Sequence, residues 1–506
     1  MNFYSIDNAL TDAIAAADKP VRIKIEIDVG CEAVAGSRFE GIFEQNIIEA
    51  NFWGLKEVAG GTTARGEILL DNPNEIYSYK NVKPGSQVKV SFSLGDGLPY
   101  FHRFNLFLDD KGIQDIRGNG RKRYVRLNLL DLSARLKKTD EARDWTSPAL
   151  FTYSVICDKT QPEKSLLHGI ASRAGISPND IDCSTIAVTH PFIRLRRNVW
   201  AELSSMATAF RCHLECPVEK PLVFAHSPYQ TENQTGDEVS HTFTGEDIFY
   251  LRVFDRAELY RNTVRLKVNM PVSLEKQEIW RYDEAPVFFD DNFKAFYPFK
   301  HPLVREIEKG NYEANYRVID ADGRERNVVF ADQIDSQEEA ESRIEFNGDG
   351  IFYSHYDVTT HSDKATLTLQ RDADGDLYKA AIYGRPIVLD LNRSSFARDN
   401  EAVQMYGTVA LNVTGSYFSE HEVNRGNGTL PHYEDWVIRE LTLRLQNRRE
   451  ITVKTHRALF NARVGARVKV KTKNNELTGM INAFSFRYKR DRAFISTFRI
   501  IEHKGE

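Results

Sequence analysis

Two stretches of the chain share one grammar. The first is Val464-Gly465-Ala466-Arg467-Val468-Lys469-Val470-Lys471, followed by the polar turn Lys473-Asn474-Asn475 and two further β-runs, Leu477 to Phe486 and Ala493 to Ile501. The second is Pro84-Gly85-Ser86-Gln87-Val88-Lys89-Val90-Ser91-Phe92, which passes through Gly95-Asp96-Gly97 to Phe101–Leu108. It then passes through Asp109-Asp110-Lys111-Gly112 to Arg123–Leu130. Both read as strand, turn, strand, turn, strand. A single Gly-x-x-Val-Lys-Val is weak evidence, since any antiparallel sheet can produce it. The shared order at both ends is what suggests one β-domain used twice.

The 506 residues suffice for roughly three or four domains. A hydrophobic share of 41% with 27% charged residues fits a soluble globular protein with buried cores. A net charge of -5 gives no sign of non-specific nucleic-acid binding. The 30 Phe and 21 Tyr favour strands. No apolar run reaches the roughly 18 residues of a membrane helix, and Met1–Asp18 lacks the basic and apolar regions of a secretory signal. Its alanines, Leu10 and Ile14 suit a short amphipathic helix. Five cysteines in so long a chain argue against a disulfide framework.

Taken in order, Val21–Val29 alternates strictly between apolar and charged residues, the pattern of an antiparallel strand with one buried face. Ile42–Trp53 and Thr62–Leu70 supply two more strands, and Leu129–Lys138 a short helical turn. After Trp145 the character changes. Pro162–Ile176 has helical spacing and a glycine stop. Asn198 can cap a second helix to Phe210, and His213–Pro217 and Leu222–Ala225 read as strands. Thr242–Leu251 and Asn262–Val268 return to strands. From Glu275 to Asn400, strands alternate with the turns Asp320–Gly323, Gly348–Gly350 and Asp372–Gly375. Val403–Phe418 is apolar and β-branched. Asn424–Gly428 is a loop, and Pro431–Arg448 is the clearest helix, with Tyr433, Val437, Leu441 and Leu445 on one face. Glu450–Thr455 is a strand before the second copy.

Candidate chemistry is sparse. Cys212, His213 and Cys216 have tolerable zinc spacing, but no second pair lies nearby, His226 and His241 being isolated. Buried or edge cysteines at a helix end are the better reading. Asp372, Asp374 and Asp376 imitate the start of a calcium loop but lack its glycine at position six and its closing glutamate, so a hairpin turn is preferred. There is no Gly-x-Ser-x-Gly elbow, no phosphate-cradling glycine loop with lysine and no His-Glu-x-x-His. The basic residues Arg117, Arg121, Lys122, Arg123 and Arg126 suit either a partner surface or a solvated hairpin tip. Arg444, Arg448, Arg449, Lys454 and Arg457 share that ambiguity. Accordingly no catalytic, cofactor-binding or metal-binding residue is assigned, no cofactor is expected, and the chain reads as non-enzymatic.

The order of features resembles the hub proteins at the distal end of bacteriophage tails and of related prophage and tail-like particles. The resemblance is carried by Gly66–Ser78, Pro84–Val90 and Val125–Asp131 near the start. Asp158–Thr160, Ser165–Leu167, Ala174–Ile176, Arg196–Leu203 and Pro221–Phe224 carry it in the middle. Tyr260–Val264, Tyr406-Gly407, the helix after Pro431 and Gly465–Val470 carry it towards the end. Coverage is nearly whole-chain, but each motif is short and structural. The segment from about 275 to 400 departs from the pattern and reads as an insertion.

The resemblance implies a mainly β fold with α+β elements. Residues 1–149 would form a first tail-tube-like β-barrel or sandwich domain, which 236–256 could complete, and 150–235 a small α/β domain. Residues 257–274 and 401–506 would form a second tube-like domain with helix 431–449, interrupted by the β-rich insertion 275–400. It also implies a homotrimer that presents six similar domains to a sixfold tail tube. Its partners would be the tail tube or distal tail protein, the tape measure protein, and central spike, fibre or receptor-binding proteins. DNA would pass through the channel without sequence-specific binding, and no membrane segment is expected. The location would be the distal tail of a virion assembled in the host cytoplasm. The rival readings are a tail-tip receptor- or glycan-binding protein and a tail-associated cell-wall hydrolase.

Overall fold

The computed structural model describes residues 4–5, 8–16, 20–28, 39–42, 46–56, 61–72, 83–117, 123–138, 154–162, 165–190, 198–226, 239–255 and 260–273. It also describes 277–282, 287–289, 292–298, 314–319, 325–330, 353–361, 364–371, 375–377, 379–384, 387–390, 393–415, 417–419, 421–424, 428–446, 449–473 and 475–502.

Helix α1 (Asn8–Ala16) precedes β1 (Val21–Asp28), β2 (Phe39–Ile42), β3 (Ile47–Lys56), β4 (Thr62–Asp71), β5 (Gln87–Leu94), β6 (Phe101–Arg117) and β7 (Arg123–Leu130). The middle elements are α2 (Leu132–Lys138), β8 (Ser154–Cys157), α3 (Leu166–Ser172), β9 (Ile181–Cys183), β10 (Ile186–His190), α4 (Val199–Ala209), β11 (Cys212–Glu215) and β12 (Leu222–His226). Next come β13 (His241–Phe243), β14 (Ile248–Asp255) and β15 (Thr263–Val268). The chain continues with β16 (Met270–Ser273), β17 (Gln277–Tyr282), β18 (Val287–Phe289), β19 (Asn292–Pro298), β20 (Ala314–Ile319), β21 (Glu325–Phe330), β22 (Tyr353–His361), β23 (Lys364–Arg371), β24 (Gly375–Leu377), β25 (Lys379–Gly384) and β26 (Ile387–Asp390). The chain ends with β27 (Ser394–Arg398), α5 (Asn400–Tyr406), β28 (Ala410–Gly415), β29 (Glu422–Asn424), β30 (Thr429–Pro431), α6 (His432–Gln446), β31 (Arg449–Thr455), β32 (Arg467–Lys471), β33 (Glu476–Lys489) and β34 (Ile495–Glu502).

Thirteen strands form one sheet in the order β14-β31-β34-β33-β3-β4-β7-β6-β5-β1-β2, with β32 on β33 and β13 on β32. It is two copies of one unit laid side by side. The amino-terminal unit runs β3-β4-β7-β6-β5-β1, and the carboxy-terminal unit runs β14-β31-β34-β33-β32-β13. Their registers match rung by rung. Trp53, Arg65, Leu130, Phe107 and Gln87 face one another across five strands. Phe254, Glu450, Ile501, Met480 and Arg467 do the same in the other unit. Even the bulges recur: between Ile47 and Glu49 as between Ile248 and Tyr250, and between Leu108 and Ile113 as between Ile481 and Ala483. The copies also depart from one another: β1 pairs antiparallel with β5 whereas β13 pairs parallel with β32, and β5–β6 has a register shift at Val90 and Ser91 that β32–β33 lacks.

The repeated strand opening has a backbone cause. Gly85 and Gly465 have φ of 82° and 84°, where a Cβ is disfavoured. Their N–H groups donate to Leu108 O at 2.8 Å and Ile481 O at 2.7 Å, again matched positions. The valines that follow, Val88, Val90, Val468 and Val470, are fully buried.

The units join through β3 and β33, from Glu49 opposite Lys489 to Leu55 opposite Ala483. Beneath that joint lies a single core drawn from both units. Phe52 and Phe104 stack at 5.4 Å, Phe92 and Phe460 at 5.5 Å, and Phe484 and Phe486 at 4.8 Å between centroids.

A second core gathers α2, α3, α4, β8–β12, β15 and α6. Here β11-β12-β9 and β27-β15-β28 are separate three-stranded sheets, and β8 pairs with β10. Trp436 Nε1 on α6 donates to Thr208 O at 2.9 Å, and Tyr417 donates to Glu202 at 2.7 Å. The described pairings of β16–β26 stay among themselves: β16 with β26, β17-β25-β20-β21, β18 with β24, and β19-β23-β22.

Several sequence expectations hold. β1 buries Ile23, Ile25 and Ile27, α1 buries Leu10, Ala13 and Ile14, and Asn198 caps α4 by accepting from Ala201 N–H at 2.9 Å. Strands β13 and β14 pair with β32 and β31. Strand β15 and helix α6 pack in the second core, where α6 turns its apolar face to α4 and β15. Other expectations are corrected. The turn expected at Asp109–Gly112 is a bulge inside the continuous strand β6. The run from Val403 begins inside α5, which Asp399 caps by accepting from Ala402 N–H at 3.0 Å. Cys157 and Cys183 form a disulfide, against the cysteine count, because the fold sets β8 beside β9 across 26 residues.

An aspartate replacing Val88 or Val468 would bury a charge with no partner in the shared core. Each substitution is expected to lower the unfolding free energy by several kcal/mol, on the order of 3 or more, in denaturant titration. Wild-type-like unfolding of either variant would refute the two-unit core.

Candidate functional site

A buried polar seam lies where the two units and the middle elements meet. It begins with Arg103 on β6. Phe104, Leu106 and Leu108 are the inward series, so simple alternation puts Arg103 outside. There the 456–466 segment of the second unit covers it, leaving it buried. Its Nε donates to Phe460 O at 2.7 Å and its Nη2 to Ala462 O at 2.8 Å. The guanidinium also lies 4.5 Å from the ring centres of both Tyr4 and Phe104. One arginine of the first unit thus satisfies two carbonyls of the second.

Arg463, from the same segment, lies over Tyr4 at 4.9 Å and forms an ion pair with Glu215 on β11. The other Glu215 oxygen faces His213 Nε2 at 3.0 Å. Burial first, then the nearby Arg463 charge, holds the His213 imidazole well below its usual range. A bridge between Gly61 and Leu214 brings β11 against the start of β4. Asp131, just after β7, accepts from Ala64 N–H at 2.6 Å and from the Ser133 hydroxyl. Burial nonetheless pushes its carboxyl up to about 6. The space left among these groups is about 40 Å³, room for a few waters. The arrangement holds the elements together.

The residues singled out in the sequence do not converge. Cys212 Sγ lies 3.6 Å from Phe210 O, and burial pushes its thiol up to about 12. Cys216 is also a free thiol raised by burial. His241 packs on Phe243 at 4.7 Å, and the His226 side chain, Asp372 and Asp374 lie outside the described residues. Of the first basic cluster, Arg126 pairs with Glu67 at 2.9 Å and Arg123 begins β7, while residues 118–122 lie outside the described ones. Of the second, Arg444 pairs with Glu440 at 2.8 Å, Arg449 with Asp255 at 3.3 Å and Arg457 with Asp247, and Lys454 lies 4.8 Å over Tyr250. Arg448 is outside the described residues.

Sequence reasoning missed the open edge of the sheet. Among the described residues, strand β14 has a neighbour on one side only, β31. It exposes Phe249 (49%), Tyr250 (38%), Leu251 (36%) and Val253 (42%). Natural edge strands are usually blunted by charge, proline or cover, so a bare apolar edge marks a surface made to be covered. The signal in the sequence was Ile248–Phe254, an apolar run with a single charge, Arg252.

No protein-family model matches the sequence, and no curated protein does. Its fold is similar to that of solved tail proteins. The tail protein from Neisseria meningitidis MC58 has a TM-score of 0.48 and 9% identity, over 96% of this chain and 97% of that one. The 43 kDa tail protein of prophage MuSo2 from Shewanella oneidensis has a TM-score of 0.45 and 9% identity, over 95% and 98%. The E. coli c3393 protein, a type VI secretion component, has a TM-score of 0.39 and 9% identity, over 95% of this chain and 77% of its own. Among the described residues no helix is long and apolar enough to cross a membrane.

Two outcomes are expected. Replacing Arg103 by Leu keeps the bulk but strands two buried carbonyls, lowering stability by roughly 2–4 kcal/mol in denaturant unfolding. Acid should act through His241 and His432, whose imidazoles burial pushes down to about 4. The unfolded chain takes up these protons near pH 6.5 and the folded chain does so only near 4. Their stabilisation is therefore full above about pH 6.5 and lost as pH falls towards 4. Asp131, raised to about 6, works in the opposite sense and offsets part of the loss. The unfolding midpoint against pH from 7.5 to 4 should fall, and should fall less when His432 is replaced by Gln.

Proposed function

We propose that the chain is a structural, non-enzymatic hub subunit of a phage-type tail. Three copies close into a ring of six β-units around a passage for DNA. The ring joins a sixfold tail tube to threefold tip, spike or fibre proteins at the distal end of the particle. One observation carries this reading: the joint between the two units is made once within the chain, and both halves of a second, equivalent joint are on its surface.

Within the chain, β3 of the first unit adds to the far side of β33 of the second. By the rung-to-rung match, β14 is the counterpart of β3, and the end of β6 is the counterpart of that stretch of β33. Among the described residues β14 has no strand on its outer side, and β5 accompanies β6 only as far as Phe107. Copying the internal register onto two chains sets Phe254 opposite Gln114, Val253 opposite Asp115, Arg252 opposite Ile116 and Leu251 opposite Arg117 of the next copy. The contact is head-to-tail and uses different surfaces on each side, so it closes only as a ring. With two units per chain, a threefold ring has nearly sixfold symmetry. The domain boundaries that go with this reading are residues 1–130 for one unit, 239–255 with 449–502 for the other, and the second core as the body between them. The short sequence motifs shared with tail hubs point the same way, and the seam, filled by the Arg103–carbonyl hydrogen bonds and the Arg463–Glu215 ion pair, supports a structural role.

Light scattering across a concentration series should give a mass near three times 57.9 kDa. A chain carrying both Val253→Cys and Asp115→Cys should cross-link on oxidation into covalent trimers, while either single substitution should not. Val253→Asp should release monomers with an unchanged melting temperature. A monomer at every concentration, with no intermolecular cross-link, would remove the ring.

A further inference from the structure

Cys157 closes β8, His168 lies in the first turn of α3, and Cys183 closes β9. Their two Sγ atoms and an imidazole nitrogen lie within 4.8 Å of one another, and all three side chains are buried. None of them belongs to the seam or to the open edge. We propose that in its reduced state the chain holds a zinc ion at Cys157, His168 and Cys183.

The geometry supports this in three ways. Zinc–sulfur and zinc–nitrogen bonds of about 2.3 and 2.0 Å set neighbouring ligand atoms roughly 3.5 Å apart, inside the spread of this cluster. The two cysteine Cα atoms stand 7.0 Å apart. That is just beyond the roughly 4.4–6.8 Å of most disulfides, and it suits two thiolates separated by a cation. The donors come from three elements packed into one core, so the fold positions them without any local motif. Two thiolates and an imidazole form a soft set, which suits zinc and disfavours magnesium or calcium.

The chemistry balances simply. A dithiol reductant supplies two electrons and two protons to the Cys157–Cys183 bond and leaves as its own disulfide. Zinc then displaces both thiol protons to solvent, and His168 binds as the neutral imidazole. Three protein donors leave one tetrahedral position for a water. The ion would tie the β8–β10 pair to the β11-β12-β9 sheet in the reduced chain, as the disulfide does in the oxidised one. The cysteine pair that the sequence puts forward is a different one: Cys212 and Cys216 join no such cluster among the described residues.

The test uses the full chain reduced anaerobically with dithiothreitol, desalted, given equimolar zinc and dialysed. Mass spectrometry of the metal should find one zinc per chain. Cobalt in its place should show thiolate-to-metal charge transfer in the near ultraviolet and the visible bands of a tetrahedral site. Cys157→Ser, Cys183→Ser and His168→Asn should lose the metal, and the Cys212→Ser, Cys216→Ser double variant should keep it. Circular dichroism identifies any variant that fails to fold, and for such a variant the wild-type cobalt spectrum decides. The proposal is overturned if the wild type binds no zinc while thiol titration counts both cysteines as reduced. A disulfide that survives the reductant in the folded chain, or zinc that follows Cys212 and Cys216, overturns it equally.

Discussion

The pairing of β3 with β33 is the constraint on which the rest of the molecule depends. It requires two strand edges to meet in register and two aromatic faces to merge beneath them. Gly54 sits opposite Phe484 in that ladder, and a Cβ there would come within 2.6 Å of the phenyl ring. The absence of a side chain at Gly54 lets the ring lie flat against the backbone, and the shared core of Phe52, Phe92, Phe104, Phe460, Phe484 and Phe486 follows from it. A hydrophobic core common to both units makes them one body, since neither can leave without exposing aromatic surface to water.

That joint determines where polar groups can go. Covering the outer side of β6 with the 456–466 segment buries Arg103, and burial of a guanidinium is tolerable only with its donors filled. The carbonyls of Phe460 and Ala462 fill them. Arg463 is then directed at Glu215, which brings the middle elements against both units. The seam therefore transmits one geometric relation, unit against unit, to the third part of the chain. A polar network of this kind contributes less to net stability than to uniqueness, because a shifted docking would leave several buried charges unsatisfied.

The same relation gives the open edge its meaning. An apolar edge strand in isolation is an aggregation hazard. In the proposed ring it is the second half of a joint whose first half is already filled, and the internal joint is the template from which the register and facing residues of the external one are drawn.

How much of this was legible in the sequence follows from the range of each signal. Period-two alternation revealed β1, β5 and β32, the glycine before Val88 and Val468 revealed the duplicated strand opening, and capping and 3.6-residue spacing revealed α4 and α6. These are local effects, settled by backbone sterics and by which face is apolar. Alternation says which side of a strand is buried but not which strand lies beside it, so the partners of β13 and β14 could not be assigned from the sequence. Nor does alternation along β6 show that Arg103 is buried, since a segment some 360 residues away covers that face. The Cys157–Cys183 pair, the placement of α6 against α4 and the β3–β33 joint are likewise long-range matters of packing. The sequence by itself determined that there are two like β-units and what each strand turns inward; the tertiary structure alone decided how the units meet and which edge remains open. Burial is a property of faces that come from distant parts of the chain, and no local pattern encodes the match between them.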